Sequence, residues 1–446
     1  MPKATTTLPL VRVLERMDRL TNWEKRARVG MDVGLASIQD LLHRLGNPQN
    51  TFRSIHVTGT KGKGSVCALL EAALSKAGWR VGRYASPHVE SVTERITIGG
   101  LQVGEAALAQ TLSKILDTCE AARTWGAPGG DATWFDVMTA AAFVTFQEVQ
   151  MEWAVVEVGL GGRTDSTNVI NSEVCIVTNV ELEHTEVLGH TRGAIALEKA
   201  GILKPGAALV TSLAMDDAAG SVLQEQADRV GCPVFRVSSA ADASIRQRNV
   251  ELAGLALNYL GGRGTPVRLK NDTTCMVGSW LLDEATCDKA HLPGRLERFN
   301  VAIGQESHAD AYRVPTILDG AHIPFNLAAV MQDILRNAEF TKPCIAVVSL
   351  AADKDAAGFF RQLSSHTLRV ICTEVPSSGR SYSAAELNEL ATSLGLQSEA
   401  EPNSTRAFEM GLELAAEAGS WLFVTGSLAL IGAVRWIAAA PSTGHR

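Results

Sequence analysis

The stretch Gly59-Thr60-Lys61-Gly62-Lys63-Gly64-Ser65 packs three glycines, two lysines and two hydroxyls into seven residues, directly after the β-rich run Ile55-His56-Val57-Thr58. Glycines let backbone N–H groups turn toward one point, and a helix starting there adds its positive end, so these residue types point to a phosphate. Lys63 supplies a mobile cation, and Ser65 or Thr60 a hydroxyl for the phosphates or for water on a magnesium ion. The spacing is shorter than G-x-x-x-x-G-K-[ST], since no glycine stands at the required distance before Gly62. The chain also lacks an N-K-x-D segment for guanine, so ATP is the expected nucleotide. Three more polar residues stand at the ends of apolar runs: Ser86 after "VGRYA", Glu157 within "WAVVEVG" and His184 after "VCIVTNVELE". In an open parallel sheet such positions converge beyond the carboxyl ends of the strands. A glutamate in an apolar strand is costly unless a metal or a buried cation compensates it. Gly159-x-Gly161 also follows a strand, but Thr164 occupies the third glycine position of a dinucleotide fingerprint, which leaves a weak match.

These residues need strands and helices in alternation to hold them, and the sequence supplies that pattern. "SIHVT", "WRVGRYA", "WAVVEV", "VCIVTNV" and "AALVTS" read as strands, while "GKGSVCALLEAALSKAG" and "TWFDVMTAAAFVTFQEV" have helical spacing. From about 240 to 292 the pattern loosens into short strand-like pieces containing "LGGRGT" and "LKNDTT". "HLPGRLERFNV" reads as a linker broken by Pro293-Gly294, after which "VPTILDG", "PCIAVVSL", "LRVICTEV" and "SWLFVTG" form a second alternating block. The expected architecture is α/β, with an N-terminal P-loop-type parallel-sheet ATPase domain over 1–295 and a smaller C-terminal Rossmann-like domain over 296–446.

A length of 446 residues favours two cores, and 46% hydrophobic content can fill both. The net charge of -7 gives no general attraction to nucleic acid or anionic membrane, so neither is an expected partner. Eight scattered cysteines without a C-x-x-C pair fit reduced thiols in a cytoplasmic protein. The N-terminus reaches Arg12 and Glu15 before an apolar core of signal-peptide length forms. The apolar stretch "WLFVTGSLALIGAVRWIAAA" is interrupted by Thr425, Gly426, Ser427 and Arg435, and reads as a buried strand, a turn and a helix.

"HVTGTKGKGS", "SPHVESVTERI", "TWFDVMTAAAF", "VVEVGLGGRTDSTNVI", "EHTEVLGHTRGAIALEKAGILKPG", "LPGRLE", "LDGAHIPFN", "DKD" and "VTGSLALIG" follow one another in an order that resembles the folylpolyglutamate synthase and dihydrofolate synthase family of the Mur ligase superfamily. The resemblance covers about residues 30 to 435. It implies ATP-dependent joining of L-glutamate to a pteroate or folate carboxylate through an acyl phosphate, by a monomer. It further implies that Ser86 and Glu157 hold one Mg²⁺, that Glu157 and His184 hold a second, and that Lys199 of "LEKAGI" is the family's carbamylated lysine. Arg295 and Asp319 resemble residues that hold the nucleotide from the C-terminal domain, and His322 and Ser427 match positions on the glutamate and catalytic side of a cleft between domains.

Some strings depart from the family. Ile323 stands where D-G-A-H-N-P has asparagine, Glu183 replaces the usual aspartate before His184, and Thr133-Trp134-Phe135-Asp136 replaces T-[YF]-F-E. "GQESHADAYR" lengthens the path from Arg295 to Asp319, as expected of a surface loop. A peptidoglycan Mur ligase would need a UDP-sugar-binding domain, for which some 55 residues before the glycine loop are too few. Two other readings stay open: a ligase of the same build acting on a different carboxylic acid, and a nucleotide-dependent switch.

Overall fold

The computed structural model describes residues 9–23, 34–238, 243–268, 275–303, 312–375 and 381–440. The chain divides into two compact units, Met1–His291 and Leu292–Arg446.

The first unit is built on β1 (Arg53–Thr58), β2 (Val81–Tyr84), β3 (Ile96–Ile98), β4 (Leu101–Gln102), β5 (Trp153–Glu157), β6 (Val174–Val177), β7 (Ala208–Thr211) and β8 (Val234–Arg236). They lie in the order β4-β3-β2-β5-β1-β6-β7-β8. Pairing is parallel from β2 through β8, and β3 and β4 add antiparallel edges. Every residue of β2, β5, β6 and β7 is buried, which explains their unbroken apolar runs: helices cover both faces of a parallel sheet. The order matters for chemistry because β2, β5, β1 and β6 are adjacent, so their carboxyl ends form one continuous rim.

The Lys63–Lys76 helix leaves that rim and packs on β2 and β5. Its Glu71, 3% exposed, accepts from Arg83 Nε at 2.7 Å, Thr97 Oγ1 at 2.6 Å and Gly100 N at 2.9 Å. A buried carboxylate is tolerated only with such a full set of donors. The result pins the helix to the strand that leads into Ser86. The Trp134–Glu148 helix opens with a capping box in which Thr133 Oγ1 accepts from Asp136 N and the Asp136 carboxylate accepts from Thr133 N.

The second unit has β9 (Glu297–Ile303), β10 (Tyr312–Asp319), β11 (Cys344–Val348), β12 (Thr367–Glu374), β13 (Ser398–Asn403) and β14 (Leu422–Thr425), in the order β13-β12-β11-β14-β10-β9. All pairings are parallel except that of β10 with the edge strand β9.

Two expectations need correction. Residues 245–262 form one 18-residue helix where short strand-like pieces were expected; "LGGRGT" contributes its last turn and the isolated bridge Pro266↔Met276 follows. Tertiary packing of Leu252, Ala256, Leu257 and Leu260 overrides the weak local propensity of its glycines, and Ser244 with Gln247 forms a capping box that marks its start. "LKNDTT", residues 269–274, lies outside the described residues. The supposed linker is the second correction: after the turn at Pro293-Gly294 the chain enters β9 at Glu297. Of "GQESHADAYR", only Tyr312 and Arg313 are described, and they begin β10.

"WLFVTGSLALIGAVRWIAAA" is a strand, a turn and the Leu428–Ala438 helix. No helix among the described residues is long and apolar enough to cross a membrane. All eight cysteines are free thiols.

Candidate active site

The glycine loop closes tightly on β6. Gly59 has φ +144°, and a Cβ there would fall 1.9 Å from Thr178 Oγ1; Gly62 has φ +84°, and its Cβ would fall 2.6 Å from Asn249 Oδ1. Both positions therefore require glycine. The loop amides do not all point to one centre as expected. Asn179 Oδ1 accepts from Thr60 N at 3.1 Å and from Lys61 N at 2.8 Å, which occupies those two donors. Thr60 is also engaged, its Oγ1 accepting from Glu181 N at 3.0 Å. The first helical bond runs from Val66 N to Gly62 O, so the amides of Lys63, Gly64 and Ser65 stay outside the helix ladder at its positive end. The amides that the helix ladder leaves over thus lie in the second half of the loop. Asn179 and Asn249 were not singled out from the sequence; their link to the loop spans more than a hundred residues and left no local signal.

Ser86, Glu157 and Lys63 meet on this rim. Glu157, 5% exposed at the end of β5, accepts from Ser86 N at 3.3 Å, and Lys63 Nζ lies 3.9 Å from its Oε1 while donating to Gly59 O at 3.1 Å. His184 begins a one-turn helix, Thr185–Leu188, with φ 53°. Its Nε2 is 3.6 Å from Glu183 Oε1, and that carboxylate is also 3.7 Å from Lys61 Nζ.

Lys199 joins the same group from the Arg192–Ala200 helix. It is 4% exposed. Burial and the nearby Lys63 pull its ammonium down to about 7; Glu183 and Asp165 oppose this, and Lys61 adds to it. Among the described residues no three His, Cys, Asp or Glu cluster tightly enough to hold a metal by themselves.

In the second unit, Asp319 ends β10, 6% exposed, and its carboxylate accepts from Leu296 N at 2.8 Å and Ala321 N at 2.8 Å. The first bond holds Leu296 at φ 50° and thereby fixes Arg295, whose Nη1 donates to Gly294 O at 3.2 Å. His322 Nδ1 lies 3.0 Å from Gly320 O, so a neutral ring donates there and leaves Nε2 as its acceptor nitrogen. Ser427 Oγ caps the Leu428–Ala438 helix by accepting from Leu430 N at 3.1 Å, and the preceding Gly426 N donates to Ala321 O at 2.8 Å. Arg295, Asp319, His322 and Ser427 therefore form one group at the ends of the paired strands β10 and β14. Glu297, which the sequence motifs did not single out, receives Arg435 Nε at 2.9 Å and Nη2 at 2.8 Å and helps to anchor the group.

A nucleotide-type loop on a parallel sheet, followed by a second Rossmann-like unit, defines a class, and the comparisons agree with it: residues 57–260 match the Mur ligase middle domain family. Folylpolyglutamate synthase of Lacticaseibacillus casei is 31% identical over 373 residues, which cover 78% of this chain and 82% of that protein. The structure of Escherichia coli FolC in complex with DHPP and ADP superposes with a TM-score of 0.78 at 25% identity, covering 98% of this chain and 99% of that one. A bifunctional folylpolyglutamate synthase/dihydrofolate synthase with Mn, AMPPNP and L-glutamate bound gives a TM-score of 0.74 at 25% identity, with 96% and 97% covered. The chain belongs to the folylpolyglutamate synthase and dihydrofolate synthase family.

Proposed function

We propose that this protein is an ATP-dependent ligase that joins L-glutamate to the carboxylate of a pteroate or folate. The observation that carries the reading is the grouping of Lys63, Ser86, Glu157, His184 and the buried Lys199, its ammonium lowered, on one rim beside a helix N-terminus. The amides of Lys63, Gly64 and Ser65 would receive the nucleotide phosphates, with Lys63 as the cation that follows charge toward the transferred phosphoryl group.

The residues fit magnesium. Glu157 offers a carboxylate and Ser86 a hydroxyl, His184 adds an imidazole, and phosphate oxygens complete a set too sparse for an all-protein metal site. Ser86 and Glu157 would hold one ion, and Glu157, His184 and Lys199 the second. When bound, such ions offset the repulsion between an attacking carboxylate and the polyphosphate. Lys199 suits this role only after modification: its neutral amine attacks CO₂, an N–C bond forms, the amine proton leaves, and an anionic carbamate results. Burial and the nearby Lys63 outweigh Glu183 and Asp165 and favour the neutral amine that this step requires.

The substrate carboxylate then attacks the γ-phosphorus and ADP leaves. The glutamate amine attacks the acyl carbon, and the tetrahedral intermediate expels phosphate. In the second unit, Arg295 and Asp319 are proposed to serve the nucleotide, and His322 and Ser427 the glutamate and its amine. Backbone donors on both oxygens of the Asp319 carboxylate support a rigid platform for Arg295.

The test is ADP release measured with dihydropteroate, tetrahydrofolate and unrelated carboxylic acids, each with and without L-glutamate. Release dependent on both a pterin acid and glutamate is expected. Release with another acid alone would assign the Mur-type ligase on a different substrate, and release independent of any acid would assign a nucleotide switch.

A further inference from the structure

A chain of buried polar groups in the first unit makes no hydrogen bond to the proposed ligands, although Asp165 within it acts on the charge of Lys199. His56 lies in β1, wholly buried, with Nε2 2.8 Å from Thr167 Oγ1. Thr167 Oγ1 bonds Asp165 Oδ1, which also accepts Thr167 N at 3.0 Å, while Asp165 Oδ2 accepts Leu160 N at 2.8 Å. Burial raises the Asp165 carboxyl, while its bonds from Thr167 and Leu160 N act in the opposite direction. In its ionised form it only accepts, so the Thr167 hydroxyl then donates to Asp165 and accepts from His56, with the ring proton on Nε2. Burial pushes the His56 imidazole down to about 3, so the ring is neutral. Its Nδ1 is buried without a partner. An orphaned buried acceptor carries a desolvation cost that an apolar residue in a central strand would avoid. Stability alone does not account for a histidine here.

The segment this chain holds is a joint. It begins directly after Glu157. Thr58 Oγ1, at the end of the phosphate-loop strand, donates to Gly161 O at 2.7 Å. Arg163 N donates to Glu198 O at 2.9 Å, and a Cβ on Gly162 would lie 2.9 Å from Lys199 O. Asn168 Nδ2 donates to Arg163 O at 2.9 Å and to Gly201 O at 3.0 Å, clamping the joint to the end of the Lys199 helix.

We infer that His56, Thr167 and Asp165 are positioning residues, a hydrogen-bonded relay that sets the register of Glu157 and Lys199 against the phosphate loop. The inference rests on the roles proposed above for Glu157 and Lys199. Held rigidly, the two sides of the metal site keep one spacing; with the relay cut, the joint gains freedom and the spacing loosens.

The experiment compares Thr167→Val, which removes the hydroxyl at nearly constant volume, with Thr167→Ser, which keeps it. Mn²⁺ binding in the presence of AMPPNP, read by electron paramagnetic resonance, is expected to weaken about tenfold or more in Thr167→Val and to return in Thr167→Ser. The kcat per folded molecule should follow the same order, falling roughly 10- to 100-fold and recovering with serine. A role confined to folding would lower the melting temperature while leaving Mn²⁺ affinity and kcat per folded molecule unchanged. That outcome, or equal impairment by serine and valine, overturns the relay. Should Thr167→Val not fold, His56→Gln, which keeps a side-chain N–H, against His56→Leu gives the same comparison. If the wild-type chain releases no glutamate-dependent ADP, the proposed function fails while the Mn²⁺ comparison still decides the relay.

Discussion

Lys199→Ala is expected to lower glutamate-dependent ADP release on the order of 100-fold, with partial recovery on adding acetate or propionate. The reasoning starts from burial. An unmodified ammonium at this position would repel magnesium, yet Lys199 is 4% exposed with Lys63 and Lys61 among the charges acting on it. Glu183 and Asp165 act in the opposite direction, yet burial and the two lysines outweigh them and leave the ammonium lowered. The carbamate reading turns this apparent cost into a ligand, and a small carboxylate diffusing into the alanine cavity replaces the missing oxygens. Steady-state rates at several carboxylate concentrations measure the effect, and unchanged activity in the variant would remove Lys199 from the site.

Lys63→Ala should be more damaging, on the order of 1,000-fold in kcat, because one change removes two contributions. The first is direct: Lys63 is the cation at the helix start, held by Gly59 O and 3.9 Å from Glu157, and it is the one proposed to follow the migrating phosphoryl group. The second is indirect. Lys63 is the largest charge-based cause of the lowered Lys199 ammonium, so its removal raises that group back toward the ordinary lysine range and reduces the neutral fraction that can take up CO₂. The two variants should therefore be less than multiplicative when combined, which a double-mutant cycle on kcat measures. Lys63→Arg should recover little, since a planar guanidinium does not replace a mobile ammonium.

The parts legible in the sequence were those written in consecutive residues. The run from Ile55 into Gly59 announces strand, loop and helix, and Glu157 stands out because it ends a wholly buried strand. The Ile245–Gly262 helix was obscured by its glycines, although its Ser244-x-x-Gln247 capping box was available. β13, Ser398–Asn403, is a polar edge strand containing a proline, with no alternation to reveal it. Long-range pairings left no trace: Asn179 on the loop amides, Glu297 with Arg435, and His56 with Thr167 exist only once the sheets are assembled. Even the loop's chemistry shifted on folding, since Asn179 occupies two of the amides that sequence alone assigned to phosphate.

The central claim is that this rim activates a carboxylate by phosphorylating it. A single turnover with a pterin substrate carrying ¹⁸O in the reacting carboxylate tests that claim directly. Attack on the γ-phosphorus followed by C–O cleavage carries one ¹⁸O into the phosphate released for each amide formed, and this transfer is the expected result. Phosphate free of ¹⁸O alongside full amide formation would contradict it.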